Sequence, residues 1–269
     1  MSYLEAAERI AREAGIMIKS KLGTDFVTEE KSSAFDVVTE IDRASEQLIR
    51  ERLAEVFPDH AFLGEEESFA NEELLENRLE RAKSEPFIWI VDPIDGTSNY
   101  VQGIPGFTVS IALACNGEIM VGVIYDPSRD DMYSAEKGKG ATLNGKPIRV
   151  SQVETLGQSV VATGFPSKKK TRDAVMKSLQ EIGPQCRTIR ALGSAAQHLA
   201  FVASGKLAAF WEYGLNAWDI AAGVLIIEEA GGTVTDTLGN PYSLTVKHIV
   251  GTNGHIHDAM MQTLKPLGI

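Results

Sequence analysis

Apolar residues recur at helical spacing from the start of the chain: Leu4, Ala7, Ile10, Ala14, Met17 and Ile18 form a stripe interrupted by charged positions. Repeats at three and four residues predict an amphipathic helix. A second stripe, Ile41, Ala44, Leu48, Ile49, Leu53 and Val56, predicts a helix over 39–57 that stops before Pro58. His60–Leu63 and Phe87–Val91 then read as strands, with a solvated helix over 71–84 between them. Phe107–Tyr125 reads as two strands around Asn116-Gly117, and strand character continues to Val150 through a turn at Asn144-Gly145. Asn-Gly between apolar runs is a strong hairpin signal. After Ser151 the pattern alternates, with strands at 159–163, 207–211 and 248–251. Helices are expected at 171–182, at 194–203 with Ser194 as cap, at 218–230 before Gly231-Gly232, and from His257. A strand-rich half (1–150) and an alternating half (151–269) predict mixed α/β layers packed as one unit.

With 269 residues, the chain buries a large core without disulfides or structural zinc. Cys115 and Cys186 form no ligand pair and read as buried small hydrophobes in a reducing cytosol. Glu5, Glu8, Arg9, Arg12 and Glu13 break any signal-peptide core, and no apolar run reaches membrane-spanning length. A cytoplasmic location and no membrane partner are expected. The net charge of −11 argues against a nucleic-acid surface. It would also repel a phosphorylated substrate unless bound cations reverse the local sign.

The chemistry concentrates in FIWIVDPIDGTSNY, residues 87–100. An apolar run delivers Asp92 to a strand end, and Asp95, Gly96 and Thr97 follow. Two carboxylates suit a hard cation such as Mg²⁺. Gly96 and Thr97 could turn backbone N–H groups towards phosphate oxygens. Alone, the segment fits either a metal-bound phosphate site or a tight turn. Three other segments place acids at strand or helix ends. Asp42 starts a helix after Lys31-Ser-Ser-Ala-Phe-Asp36-Val-Val-Thr39; Glu65, Glu66 and Glu67 follow Gly64; Asp219 opens the helix Trp218-Asp-Ile-Ala-Ala-Gly223. Singly, Asp42 reads as a helix-start acid, the glutamates as a solvated loop and Asp219 as a cap or a ligand. Gly140–Pro147 nearly fits a phosphate-binding P-loop, but Pro147 replaces the required hydroxyl residue. His255 and His257 read as a loop or helix start, Lys168–Lys170 as a solvated loop, and Trp211 and Trp218 as core.

DVVTEID at 36–42, GEE at 64–66, WIVDPIDGTSNY at 89–100 and WDIAAG at 218–223 together resemble the inositol monophosphatase family in order and spacing, across essentially the whole chain. The resemblance implies an alternating αβαβα sandwich, a homodimer, Li⁺ sensitivity, and two to three Mg²⁺ ions per site. By position, Glu65, Asp92 and the Ile94 carbonyl match the ligands of one Mg²⁺. Asp92, Asp95 and Asp219 match those of a second, and Glu65 assists a third. Asp42 and Thr97 match the pair that activates water; Gly96, Thr97 and Ser98 match phosphate contacts. Lys31 matches a lysine on the phosphate side and Glu212 a carboxylate facing the alcohol. The implied reaction is Mg²⁺-dependent hydrolysis of a small phosphorylated polyol, foremost inositol monophosphate, by direct attack of water. Fructose-1,6-bisphosphate, 3′-phosphoadenosine nucleotides and NADP are the substrates of the wider superfamily. A non-catalytic binding protein on this fold is the remaining alternative.

Overall fold

Apolar faces sort the chain into five stacked layers. The computed structural model describes residues 1–24, 27–33, 36–69 and 72–268, with the backbone alone at 30–33, 36, 37, 69 and 72–75. In chain order the elements are α1 (Tyr3–Ser20), β1 (Thr28–Ser33), β2 (Asp36–Thr39), α2 (Glu40–Val56), β3 (Ala61–Gly64), α3 (Glu65–Phe69), α4 (Glu72–Ala82), β4 (Ile88–Asp95), α5 (Thr97–Val101), β5 (Thr108–Cys115), β6 (Glu118–Asp126), β7 (Asp131–Glu136), β8 (Ala141–Leu143), β9 (Lys146–Pro147), β10 (Val160–Thr163), α6 (Lys169–Ile182), β11 (Thr188–Arg190), α7 (Ala195–Ala203), β12 (Ala209–Tyr213), α8 (Ala217–Glu229), β13 (Thr233–Asp236), β14 (His248–Thr252) and α9 (His257–Leu264).

Helices α1 and α2 cover one face of a seven-stranded sheet ordered β3-β4-β5-β6-β7-β8-β9. Helices α7 and α8 separate its other face from a five-stranded sheet ordered β11-β10-β12-β14-β13, and α6 and α9 cover the outside. This is the αβαβα sandwich expected from the sequence. Three apolar clusters fill the gaps. One lies under α1 and α2 around Trp89 and Ile111; one lies between the sheets around Phe210 and Trp218; one lies under α6 and α9 around Trp211 and Met260.

The middle layer demands the closest packing. Helix α8 is apolar on nearly every side, as a helix between two sheets must be. It reaches β6 because residue 122 has no side chain: a Cβ there would stand 2.6 Å from the Ala222 carbonyl oxygen. The hairpins follow turn chemistry. Asn116 and Gly117, and Asn144 and Gly145, all hold positive φ, as a type I′ turn requires.

Several elements depart from the expected boundaries. The glutamate run at 65–67 opens α3 instead of a loop. Lys169 and Lys170 lie inside α6, with Lys168 as its cap residue. The strand expected at 207–211 runs from Ala209 to Tyr213, because the Lys206 and Leu207 amides still bond the Phe201 carbonyl at the end of α7. Cys115 and Cys186 are half-buried and free, not core residues. The β1–β2 hairpin, β11 and β13 were not expected, since TEEKSS, TIR and TVTD carry little apolar signal.

Gly122→Ala should destabilise the fold by about 1–3 kcal/mol, the usual range for forcing atoms into a packed core. Urea unfolding followed by circular dichroism should show a lower midpoint with an unchanged slope. An unchanged midpoint would show that α8 does not need this approach.

Candidate active site

The site is assembled at the point where β3, β4, α2, α7 and α8 meet. Strand β4 carries its apolar run to Asp92, whose Oδ1 accepts the Ile94 amide at 3.0 Å. Gly96 then adopts φ 97° and turns the chain into α5. A Cβ there would meet the Gly106 carbonyl at 2.7 Å, so only glycine fits. Thr97 follows, and its hydroxyl lies 3.0 Å from Asp42 Oδ1 and 2.9 Å from the Ile94 carbonyl oxygen.

Asp42 is fixed from the other side. Thr39 caps α2, and Asp42 Oδ2 accepts both the Thr39 amide at 2.9 Å and its hydroxyl at 2.5 Å. This reciprocal capping box turns Oδ1 towards Thr97. Asp95 is held by α7: its Oδ2 accepts the Ser194 hydroxyl and the Ala196 amide, each at 2.6 Å. Asp219 is held at the start of α8, where Oδ2 accepts the Asn216 amide at 2.7 Å. Each acid is therefore oriented by backbone N–H groups at helix or turn positions.

The acids act on one another. Burial drives Asp92 well above the usual carboxylate range, and Glu65, Asp95 and Asp219 push it further. Burial also raises Asp219, with Glu65 and Asp95 adding to it. Asp95 is pushed up to about 6 by burial, against the lowering effect of its bonds from Ser194 and the α7 amides. Burial raises Glu212 strongly, helped by Asp95 and Asp219. No lysine or arginine figures among the groups acting most strongly on these acids. Asp95 and Asp219 keep a partly exposed edge, whereas Asp92 and Glu212 are buried.

Glu65, Asp95 and Asp219 all press on Asp92 as like charges. Carboxyl groups crowded in this way favour protons or bound cations. Among the described residues no group of three or more His, Cys, Asp or Glu side chains stands so that it could hold a metal ion in its present arrangement. The donor chemistry nevertheless suits one. The set is carboxylate and carbonyl oxygen, the ligands hard cations take, and a divalent cation would neutralise acids that otherwise need protons.

Residues 1–267 match the model of the inositol monophosphatase family. The chain belongs to this family. It is 39% identical over 267 residues to Nus factor SuhB of Pseudomonas aeruginosa, covering 98% of this chain and 96% of that protein. It is 36% identical over 264 residues to the fructose-1,6-bisphosphatase/inositol-1-monophosphatase of Thermotoga maritima, covering 98% and 96%. Its fold superposes on the inositol monophosphatase of Anabaena with a TM-score of 0.84 at 35% identity, covering 98% of this chain and 95% of that one.

Of the residues the family resemblance singled out, Glu65, Asp92, Asp95, Asp219 and Glu212 lie near enough for their charges to act on one another, Thr97 bonds Asp42 and the Ile94 carbonyl, and Gly96 and Ser98 lie at the start of α5. The Lys31 side chain lies outside the described residues. His257 opens α9 and bonds Thr235 and Thr252, as a helix-start residue would. Sequence reasoning missed the supports. Ser194 was expected only as a helix cap, and Thr39 and Glu46 were not singled out. Thr39 had a signal in the Thr-x-x-Asp capping pattern.

The raised pKa values fix a sign. A carboxyl whose folded pKa lies above its unfolded value adds stability that is complete below the unfolded pKa and lost as pH rises through the folded one. For Asp95 that window runs from about 3.8 to about 6. The lowered histidines His60, His198, His248 and His257 pull the opposite way over part of the same range. The useful readout is therefore wild type against Asp92→Asn in a chelator. As pH rises above the usual carboxylate range, the urea stability of wild type should fall relative to the variant, by up to about 1.4 kcal/mol per pH unit. A difference that does not change with pH would mean Asp92 ionises as freely folded as unfolded.

Proposed function

We propose that this chain is a Mg²⁺-dependent phosphatase that hydrolyses a small phosphorylated polyol, with inositol monophosphate as its preferred substrate. The observation that carries the reading is the Thr97–Asp42 hydrogen bond of 3.0 Å set beside mutually raised acids. Glu65, Asp92 and the Ile94 carbonyl would hold one Mg²⁺, and Asp92, Asp95 and Asp219 a second, with Glu65 also serving a third. When bound, such ions cancel phosphate charge, lower the pKa of water and stabilise the leaving alkoxide.

The chain's own residues handle the proton. Thr97 Oγ1 donates to Asp42 Oδ1 and keeps lone pairs free to accept a hydrogen bond from water. As water attacks, its proton passes to Thr97 Oγ1 while the hydroxyl proton moves to Asp42 Oδ1. Thr39 prevents Asp42 from turning away. Gly96, Thr97 and Ser98 would offer donors to the phosphate, with Lys31 on the same side. Burial disfavours the charged form of Glu212, which suits it to exchange hydrogen bonds with hydroxyls of the alcohol half. A homodimer and inhibition by Li⁺ belong to the same reading.

The Thermotoga relative's name couples two substrates, so fructose-1,6-bisphosphate is the first competitor. The Pseudomonas relative's name, Nus factor, supports a second reading in which the chain also serves a macromolecular partner. The charge of −11 favours a protein over a nucleic acid in that role.

Phosphate release should be measured on inositol monophosphate, fructose-1,6-bisphosphate, a 3′-phosphonucleotide and NADP, with and without Mg²⁺. Inositol monophosphate should give the highest kcat/KM, and chelation should stop turnover. Absence of Mg²⁺-dependent release from every ester would end the reading. Asp95→Asn should stay folded and lose more than about 100-fold in kcat, beyond the loss typical of an outer partner of a metal ligand.

A further inference from the structure

Helix α2 presents three buried polar side chains, Asp42, Ser45 and Glu46, on one face. Spacings of three and four residues align them. Each reaches a different segment of the site. Asp42 meets Thr97. Ser45 Oγ donates to the Pro93 carbonyl at 3.4 Å, between Asp92 and Ile94. Glu46 accepts the Glu66 amide at Oε2, 2.7 Å away, and the Glu67 amide at Oε1, 3.1 Å away.

The phosphatase reading makes no use of Glu46. Helix α3 starts directly after Gly64. First-turn N–H groups have no acceptor inside a helix, and a glycine cap has no side chain to supply one. Glu46 supplies both acceptors from a different helix. The same contact demands the glycine, since a Cβ at 64 would lie 2.3 Å from Glu46 Oε2. One turn along α2, Arg50 stands 3.6 Å from Glu46 Oε1 and pairs with Glu67, closing the clamp from outside. The backbone is thus held at the two residues that follow Glu65, and Gly64 before it packs against the same carboxylate. Burying a carboxylate is unfavourable unless its hydrogen bonds are satisfied, and here the two amides and Arg50 satisfy them.

We propose that Glu46 is a positioning residue that caps α3 in trans and so holds Glu65 towards Asp92 and the divalent cation the two would share. The proposal rests on the phosphatase reading. Partners of this outer kind typically contribute 10–100-fold to metal affinity or activity, by the general behaviour of residues behind metal ligands.

Hydrogen exchange on the wild-type protein gives the first test. The Glu66 and Glu67 amides should exchange slowly, because both donate to the Glu46 carboxylate; exchange at unprotected rates would overturn the cap. Glu46→Gln keeps the side-chain shape but only one acceptor oxygen. It should speed exchange at both amides and weaken Mg²⁺ binding, measured by calorimetry, by about 10- to 100-fold. Turnover at saturating Mg²⁺ should fall far less, a split that general loosening of the fold would not produce. Gly64→Ala, which presses on the same carboxylate, should weaken Mg²⁺ in the same way. If wild type binds Mg²⁺ and releases phosphate while Glu46→Gln binds it equally tightly with unchanged amide exchange, the positioning role is wrong and the phosphatase reading stands. If wild type neither binds Mg²⁺ nor releases phosphate, both fall.

Discussion

Like charges gathered out of water are the constraint around which this fold is organised. Two carboxylates about 4 Å apart repel by on the order of 1–4 kcal/mol, depending on the dielectric. Burial adds several kcal/mol for each ionised group. Asp92, Asp95, Asp219 and Glu212 carry both burdens, and their raised pKa values record them. The hydrogen bonds from Ile94, Ala196 and Asn216 orient the acids without cancelling their charge. The cluster is left with two ways to settle, protons or cations. That choice makes the same residues a weak point of the fold and a strong candidate for metal chemistry.

The sheets explain how acids distant in sequence come to share this place. Strands β3 and β4 run parallel with Gly64 beside Val91, so Glu65, which follows β3, starts next to Asp92 of β4. Ser110 of β5 faces Asp92 across the next ladder and donates to the Trp218 carbonyl at 3.1 Å, which ties the start of α8, and with it Asp219, to the same edge. Gly122 lets α8 lie close enough for that bond. Asn99 donates to both the Gly106 and Leu192 carbonyls and holds the approach to α7, whose first turn receives Asp95. The packing between the sheets and the geometry of the acids are thus one structure.

The layers were legible from the chain because periodicity survives wherever an element is half-buried. The stripes of α1 and α2, the Asn-Gly hairpins and the apolar α8 all announce themselves in this way. Elements stabilised by distant partners were not legible. Residues 65–67 read as a solvated acidic loop, and they become helical because Glu46 and Arg50 of α2 accept and pair with them. The site divided along the same line. Asp92, Asp95 and Thr97 stand in one segment and were visible as chemistry. Asp42 and Asp219 had ordinary readings as helix-start acids, and both do sit in capping boxes. Their convergence rests on the family resemblance, because spacing within a chain does not encode contact across it. Glu46 gave no signal beyond lying four residues after Asp42, which is a statement about a helix face and not about what that face meets.

Diffraction from crystals soaked in Mn²⁺, a close stand-in for Mg²⁺ with a strong anomalous signal, addresses the central claim most directly. The account predicts anomalous peaks bound by Asp92 together with Glu65, and by Asp92 with Asp95 and Asp219. Anomalous density that is absent from this cleft at saturating Mn²⁺ would contradict it.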